Sequence, residues 1–160
     1  MKRASLWLLL LTVLWALDAV VGEGFFWAHD LRHHHLPWRV WASQSWLGGE
    51  VPLWSEAVGM GFPLMADGQT GVFYPPTMLL FMALPAAWAL NLSILGHVWW
   101  AGLGATWMAR KLDIQEHGAL LTGVAFGFSG FMAAHTGYLG MQNAIAWLPW
   151  AIGALVAGRW

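Results

Sequence analysis

PPTMLLFMALPAAWALNLSILGHVWWAGLGATWMA, residues 75–109, carries no acidic or basic side chain except His97. At about 1.5 Å per residue, a helix of this length is too long for one untilted crossing of a hydrocarbon core about 30 Å thick. Pro85 divides it, because proline lacks the N–H of the helical ladder and its ring crowds the preceding turn. The stretch therefore predicts a half-helix over 77–84 and a full span over 86–109. This reading makes the chain an all-α membrane protein, and the remaining segments are placed around it.

Composition agrees. Of 160 residues, 59% are hydrophobic and only 9% charged, against roughly a quarter charged in an ordinary soluble domain. So few charges cannot cover a surface facing water. The absence of cysteine removes disulfide frameworks, thiolate metal sites and cysteine nucleophiles together. A formal net charge of −1 excludes the basic footprint of a nucleic-acid partner.

Upstream, MKRASLWLLLLTVLWALDAVVG has two cations followed by an apolar run over 4–22, interrupted only by Asp18. Such a run is either a secretory signal or a first span. No small-x-small cleavage site follows, which favours the uncleaved span. Downstream, the charged turn RKLDIQEH precedes a Gly-rich span over 118–134, and a polar bend leads into a fourth over 144–158. Lys2, Arg3, Arg110, Lys111 and Arg159 mark a cytoplasmic side by the positive-inside rule. The outer loop, 23–76, carries Glu23, Asp30, Glu50, Glu56 and Asp67 against Arg32 and Arg39. The expectation is about four transmembrane helices, both ends inside, in a single transmembrane domain. The chain reads as the N-terminal piece of a longer membrane protein.

The outer loop holds the chemistry. WAHDLRHHHLPWRVW, residues 27–41, crowds one Asp, two Arg and four His into a chain with few charges. After Pro37, which suits a first helical turn, Trp38, Trp41, Ala42, Ser45 and Trp46 share a face flanked by Arg39 and Ser43. That pattern predicts an interfacial helix with its indoles in the headgroup layer. His29 and His33 are four apart, as are Asp30 and His34, so one helical turn could pair them. A divalent metal is the cofactor such a set could hold, with His29, His33 and His34 as ligand candidates; a solvated run of neutral imidazoles is the alternative. Asp30 lies just past the outer end of span one, where a carboxylate beside Arg32 and Arg39 could act as a general base while the guanidiniums hold a phosphate. Asp67 and Gln69 sit in a Gly-flanked turn, where Gly68 and Gly71 permit close backbone approach. Asp18 is an intramembrane acid near its span's outer end, and His97 suits an interhelical hydrogen bond. His135, Gln142 and Asn143 fall at the outer ends of spans three and four.

Three spaced motifs, HDLRHHHLPWRVWASQSWLGGEVPLW (29–54), GMGFPLMADGQTGVFYPP (59–76) and FSGFMAAHTGYLGMQNAIAWLPW (128–150), resemble the N-terminal region of YfhO-type bacterial membrane proteins, grouped with GT-C-fold glycosyltransferases. The resemblance implies a bacterial inner (plasma) membrane protein with a cytoplasmic N-terminus. Its implied reaction is sugar transfer from a lipid-linked polyprenyl-phosphate donor to a cell-envelope glycan acceptor outside. It matches Asp30 to the catalytic base. Arg32, Arg39, Glu50, Asp67, Gln69 and His135 then become candidate substrate contacts. His33–His35 stand where relatives often carry aromatics, and Tyr138 where a second His is expected. Two alternatives to catalysis remain open: a scaffold or lipid-handling transport protein, and a metal-binding protein relying on the His run.

Overall fold

The computed structural model describes residues 1–21, 26 and 30–158. The expectations placed on Glu23, His29 and Arg159 lie outside the described residues. Every regular element among the described residues is helical: α1 (Lys2–Trp15), α2 (Leu17–Val21), a π-helical turn (Leu31–His35), α3 (Leu36–Leu47), α4 (Pro75–Ala83), α5 (Ala86–Lys111), α6 (Glu116–Gly127), α7 (Gly130–Ala134) and α8 (Leu139–Ala157). One isolated antiparallel bridge joins Ser55 to Phe62.

The helix ends follow local chemistry. Pro75 and Pro76 open α4 at positions whose N–H groups would have no intrahelical partner. Leu84 is extended, as the residue before a proline prefers, so α4 stops and α5 starts afresh at Ala86. At the other end of α5, Asp113 adopts φ +59. The N–H of Ile114 reaches back to the Ala109 carbonyl (3.1 Å) and that of Asp113 to Arg110 (3.3 Å). This is a Schellman cap with aspartate in the left-handed position usually taken by glycine. The Arg110 guanidinium fastens it by donating to the Ile114 carbonyl (2.7 Å). Ser129 caps α7 by accepting from the N–H of Met132.

Among the described residues, two helical stretches are long and apolar enough to cross a membrane: 116–134, which is α6 and α7 taken across the Ser129 break, and Leu139–Ala157. Only 22% and 33% of these windows are buried, so most of each surface has no protein cover. The expected spans differ in detail. The first apolar segment is broken at Ala16 into α1 and α2, and the third at Phe128–Ser129. Helix α5 is about 39 Å long for its 26 residues, but it buries Asn91, Ser93, His97 and Thr106 and does not join the two apolar helices.

The chain forms two compact units. Unit 1 comprises Met1–Gly24, Ile94–Thr136 and Met141–Trp160; unit 2 comprises Phe25–Ser93 and Gly137–Gly140. In unit 1, α6 buries Ala119, Gly123 and Gly127, one residue per turn. A methyl group on Gly123 would collide with the Thr106 hydroxyl and the Gly102 carbonyl, and one on Gly127 would press on Gly102. Small residues four apart let the backbones approach, the usual means of joining helices where no hydrophobic drive exists between them. Gly104 and Gly153 do the same for the rings of Trp150 and Trp107. Trp150 stacks on Trp100 (4.4 Å) and on Trp107 (5.4 Å), and its indole N–H donates to the Trp100 carbonyl (3.1 Å). The indole N–H of Trp99 ties α1 in through the Ser5 carbonyl (3.2 Å).

Unit 2 is built on α3 and the turn before it. Ala42, Leu64 and Val72 form its core, with Trp38, Trp41 and Phe62 packed against them. Trp38 stacks on Phe62 at 5.2 Å, and the Trp46 indole N–H donates to the Val72 carbonyl (3.2 Å). The indoles expected in the headgroup layer thus spend much of their surface holding segment 62–73 onto α3.

Candidate functional site

The buried stripe of this region is Leu31, His35, Arg39, Ala42 and Ser43. Arg39, expected at the edge of a tryptophan face, is only 4% exposed. Its Nη1 lies 3.1 Å from His35 Nδ1 and also donates to the His35 carbonyl (3.3 Å), while Nη2 donates to the Gln69 carbonyl (3.3 Å). A guanidinium can only donate, so His35 Nδ1 presents its lone pair and the neutral ring carries its proton on Nε2. Burial is the main force pushing the His35 pKa down to about 4, with Arg39 adding to it and Asp30 opposing. Burial also pulls Arg39 down to about 10, and the negative charge of Asp67 works against that shift.

The turn that receives Arg39 is itself fixed. Asp67 Oδ1 accepts from the N–H of Gln69 (3.1 Å), and the Thr70 hydroxyl reaches the carbonyls of Leu64 (2.7 Å) and Asp67 (2.8 Å), sharing its single proton. Gly71 adopts φ +62, a conformation glycine takes without Cβ strain. Arg39, Ser43, Thr70, Gly71 and Thr77 help line a cavity of about 10 Å³. That is space for one water molecule, not for a phosphate group. Arg39 therefore works inward, as the tie between α3 and the 67–71 turn.

The other expected residues divide clearly. Arg32, His33 and His34 are exposed on the π-helical turn, and Asp30 at its start is half-buried. Glu50 and Gln69 are exposed, and Asp67 is half-buried. Unit 2 holds all of these. His135 belongs to unit 1, where its Nδ1 pairs with the Phe131 carbonyl (2.8 Å) and its ring stacks on Phe131 at 4.1 Å. Asp18 stands exposed in the first turn of α2. Among the described residues no three His, Asp or Glu side chains converge to hold a metal ion, and His33 and His34 face outward while His35 turns in.

Thr70 and Thr77 were not singled out by sequence, and His35 and Ser43 were named there without a buried role. The spacing Leu31–His35–Arg39–Ser43, four residues at each step, could have found that role for His35 and Ser43. Comparison with protein-family models, with characterised proteins and with solved structures gives no match.

Proposed function

We propose that the chain belongs to a membrane glycosyltransferase of GT-C type. It moves a sugar from a polyprenyl-phosphate donor to a cell-envelope glycan on the outer face of the bacterial plasma membrane. In this reading α1–α2, α5, α6–α7 and α8 all cross, with the N-terminus cytoplasmic. The acceptor hydroxyl loses its proton to Asp30 as its oxygen bonds to the anomeric carbon, and the bond from that carbon to the phosphate oxygen breaks. Polyprenyl phosphate leaves, its charge met by Arg32. Arg39, expected as a second phosphate contact, becomes a positioning residue instead, because its fork is occupied by backbone carbonyls.

One observation carries the reading. The turn 30–34 exposes Arg32, His33 and His34, with Asp30 half-buried at its start, while the next turn of the same helix is locked inward through His35 and Arg39. A base and a cation held on a fixed frame at a helix start suit positional catalysis. Asp30→Asn in the full-length protein should abolish transfer of labelled sugar from polyprenyl phosphate while membrane insertion stays unchanged. Retained transfer would remove the proposal.

A non-catalytic lipid-handling role is the second reading, favoured by the exposed apolar side chains of the outer loop, such as Leu53, Trp54 and Met60. It predicts that Asp30→Asn still binds polyprenyl phosphate and that the parent protein never turns it over.

A further inference from the structure

Apart from Phe62 and Leu64, which pack into the core of unit 2, the segment 47–65 leaves its large apolar residues exposed. Leu47 is 64% exposed, Leu53 54%, Trp54 53% and Met60 fully so. Val51, Val58 and Met65 are exposed with them. Soluble surfaces rarely gather so many, and such patches mark contact with protein or membrane.

Their presentation is built rather than slack. Ser55 and Phe62 exchange both backbone hydrogen bonds at 2.8 Å, closing the loop 56–61 at its base. Within it the N–H of Gly61 returns to the Val58 carbonyl (2.9 Å), and that of Ala57 to the Ser55 hydroxyl (3.3 Å). Gly59 and Gly61 take φ +58 and +115, and the Trp54 ring lies where a side chain on Gly61 would be. Phe62 anchors the base by stacking on Trp38 of α3. Val58 and Met60 therefore stand at the tip of a loop ordered in advance, so little conformational freedom is lost when they enter another phase.

We propose that loop 55–62 is a prong that inserts into the headgroup–acyl boundary of a lipid bilayer, with Met60 and Val58 entering and Trp54 at the interface. Three features favour lipid over a protein partner. Met60 projects clear of its neighbours, a shape that a fluid layer receives without a matching pocket, whereas a protein needs a complementary surface of roughly 800 Å² on each side. Among the described residues the same chain carries two helices long and apolar enough to cross a membrane, so a bilayer is a phase this protein is composed to meet. Trp54, half exposed, suits the interfacial layer where indoles concentrate. Glu56 lies at the base of the prong and Glu50 precedes it, and no Lys or Arg occurs anywhere in 40–109. The surface entered is thus zwitterionic rather than anionic lipid.

The chain has no cysteine, so Met60→Cys creates a single labelling site. A nitroxide attached there, with the 160-residue chain in phosphatidylcholine nanodiscs, reports collisions with oxygen, which concentrates in lipid, and with a water-soluble nickel chelate. The proposal expects oxygen collisions to exceed nickel collisions several-fold, and the ratio to fall when half of the lipid is phosphatidylglycerol. Free access of nickel in phosphatidylcholine would overturn it. Protection from both reagents would also overturn it, by showing that protein covers the tip.

Discussion

In unit 1, helices α5 and α6 approach until Gly102 and Gly123 leave no room for a methyl group. Unit 2 is arranged instead around a guanidinium, that of Arg39, 4% exposed and bound to the carbonyls of His35 and Gln69. The contrast reflects what each region must satisfy. Helices meet their own backbone hydrogen bonds, so unit 1 needs only close contact, which glycine seams and stacked indoles supply. Segment 48–74 is irregular, and its carbonyls need donors from elsewhere. Arg39 serves one of them, the Gln69 carbonyl, while its other terminal nitrogen holds the His35 carbonyl of its own helix.

The largest test of this contrast lies in unit 1. Gly123→Leu would force a side chain between Thr106 and the Gly102 backbone, where neither neighbour can yield cheaply. The expected loss is about 3 kcal/mol, at the upper end for overpacking, read as a fall in the thermal midpoint of detergent-solubilised protein by circular dichroism. An unchanged midpoint would mean that the α5–α6 seam does not hold the unit together.

Much of the helical layout was legible in the sequence, because Pro85 in unit 2 and the charged turn 110–117 in unit 1 punctuate long apolar runs. The breaks at Ala16 and Ser129 were harder. No proline or glycine marks Ala16, and the Ser129 cap sits inside a segment whose hydropathy alone continues through it. For unit 2, the helix after Pro37 was visible, but its inward face was not. Ranking residues by hydrophobicity turned the tryptophans toward the headgroup layer and put Arg39 at the edge of their face. The buried partner of Arg39 is a backbone carbonyl of Gln69, thirty residues away, which no side-chain pattern encodes. The half-buried Asp30 and the exposed Arg32, His33 and His34 were legible as a cluster. The inward turn of His35, identical in kind to its two neighbours, is marked in the sequence only by its four-residue step from Leu31 and to Arg39.

A smaller effect is expected at Arg39. Arg39→Ala removes the donors to His35 and Gln69, leaving acceptors inside unit 2, but it also removes a charge that was costly to bury. The two terms oppose each other, and a net loss of about 2 kcal/mol follows from the orphaned acceptors and the lost packing. The change should be local. Limited proteolysis should cut within 64–74 far faster in the variant, while the unit 1 helices keep their protection. Uniform loosening of the whole chain would contradict the division of labour between the units.

The smallest and most specific effect is a pH dependence confined to unit 2. His35 is held neutral, its pKa lowered from the ordinary 6.5 to about 4 by burial first and by Arg39 second. Between those values the unfolded chain binds a proton that the folded chain refuses, so stability rises with pH across the window. The contribution is complete above pH 6.5 and is lost as the pH falls through the folded value of about 4. A proton arriving on Nδ1 would also abolish the acceptor that Arg39 uses and place two cations 3.1 Å apart. Protease protection of segment 64–74 should therefore weaken on acidification before the helices of unit 1 respond. His35→Gln keeps an acceptor for Arg39 but cannot titrate, so its protection should vary less between pH 6.5 and 4. An acid response of the same size in both proteins would assign the transition to the carboxylates instead. His35 would then be a packing residue whose neutrality has no consequence for the turn it supports.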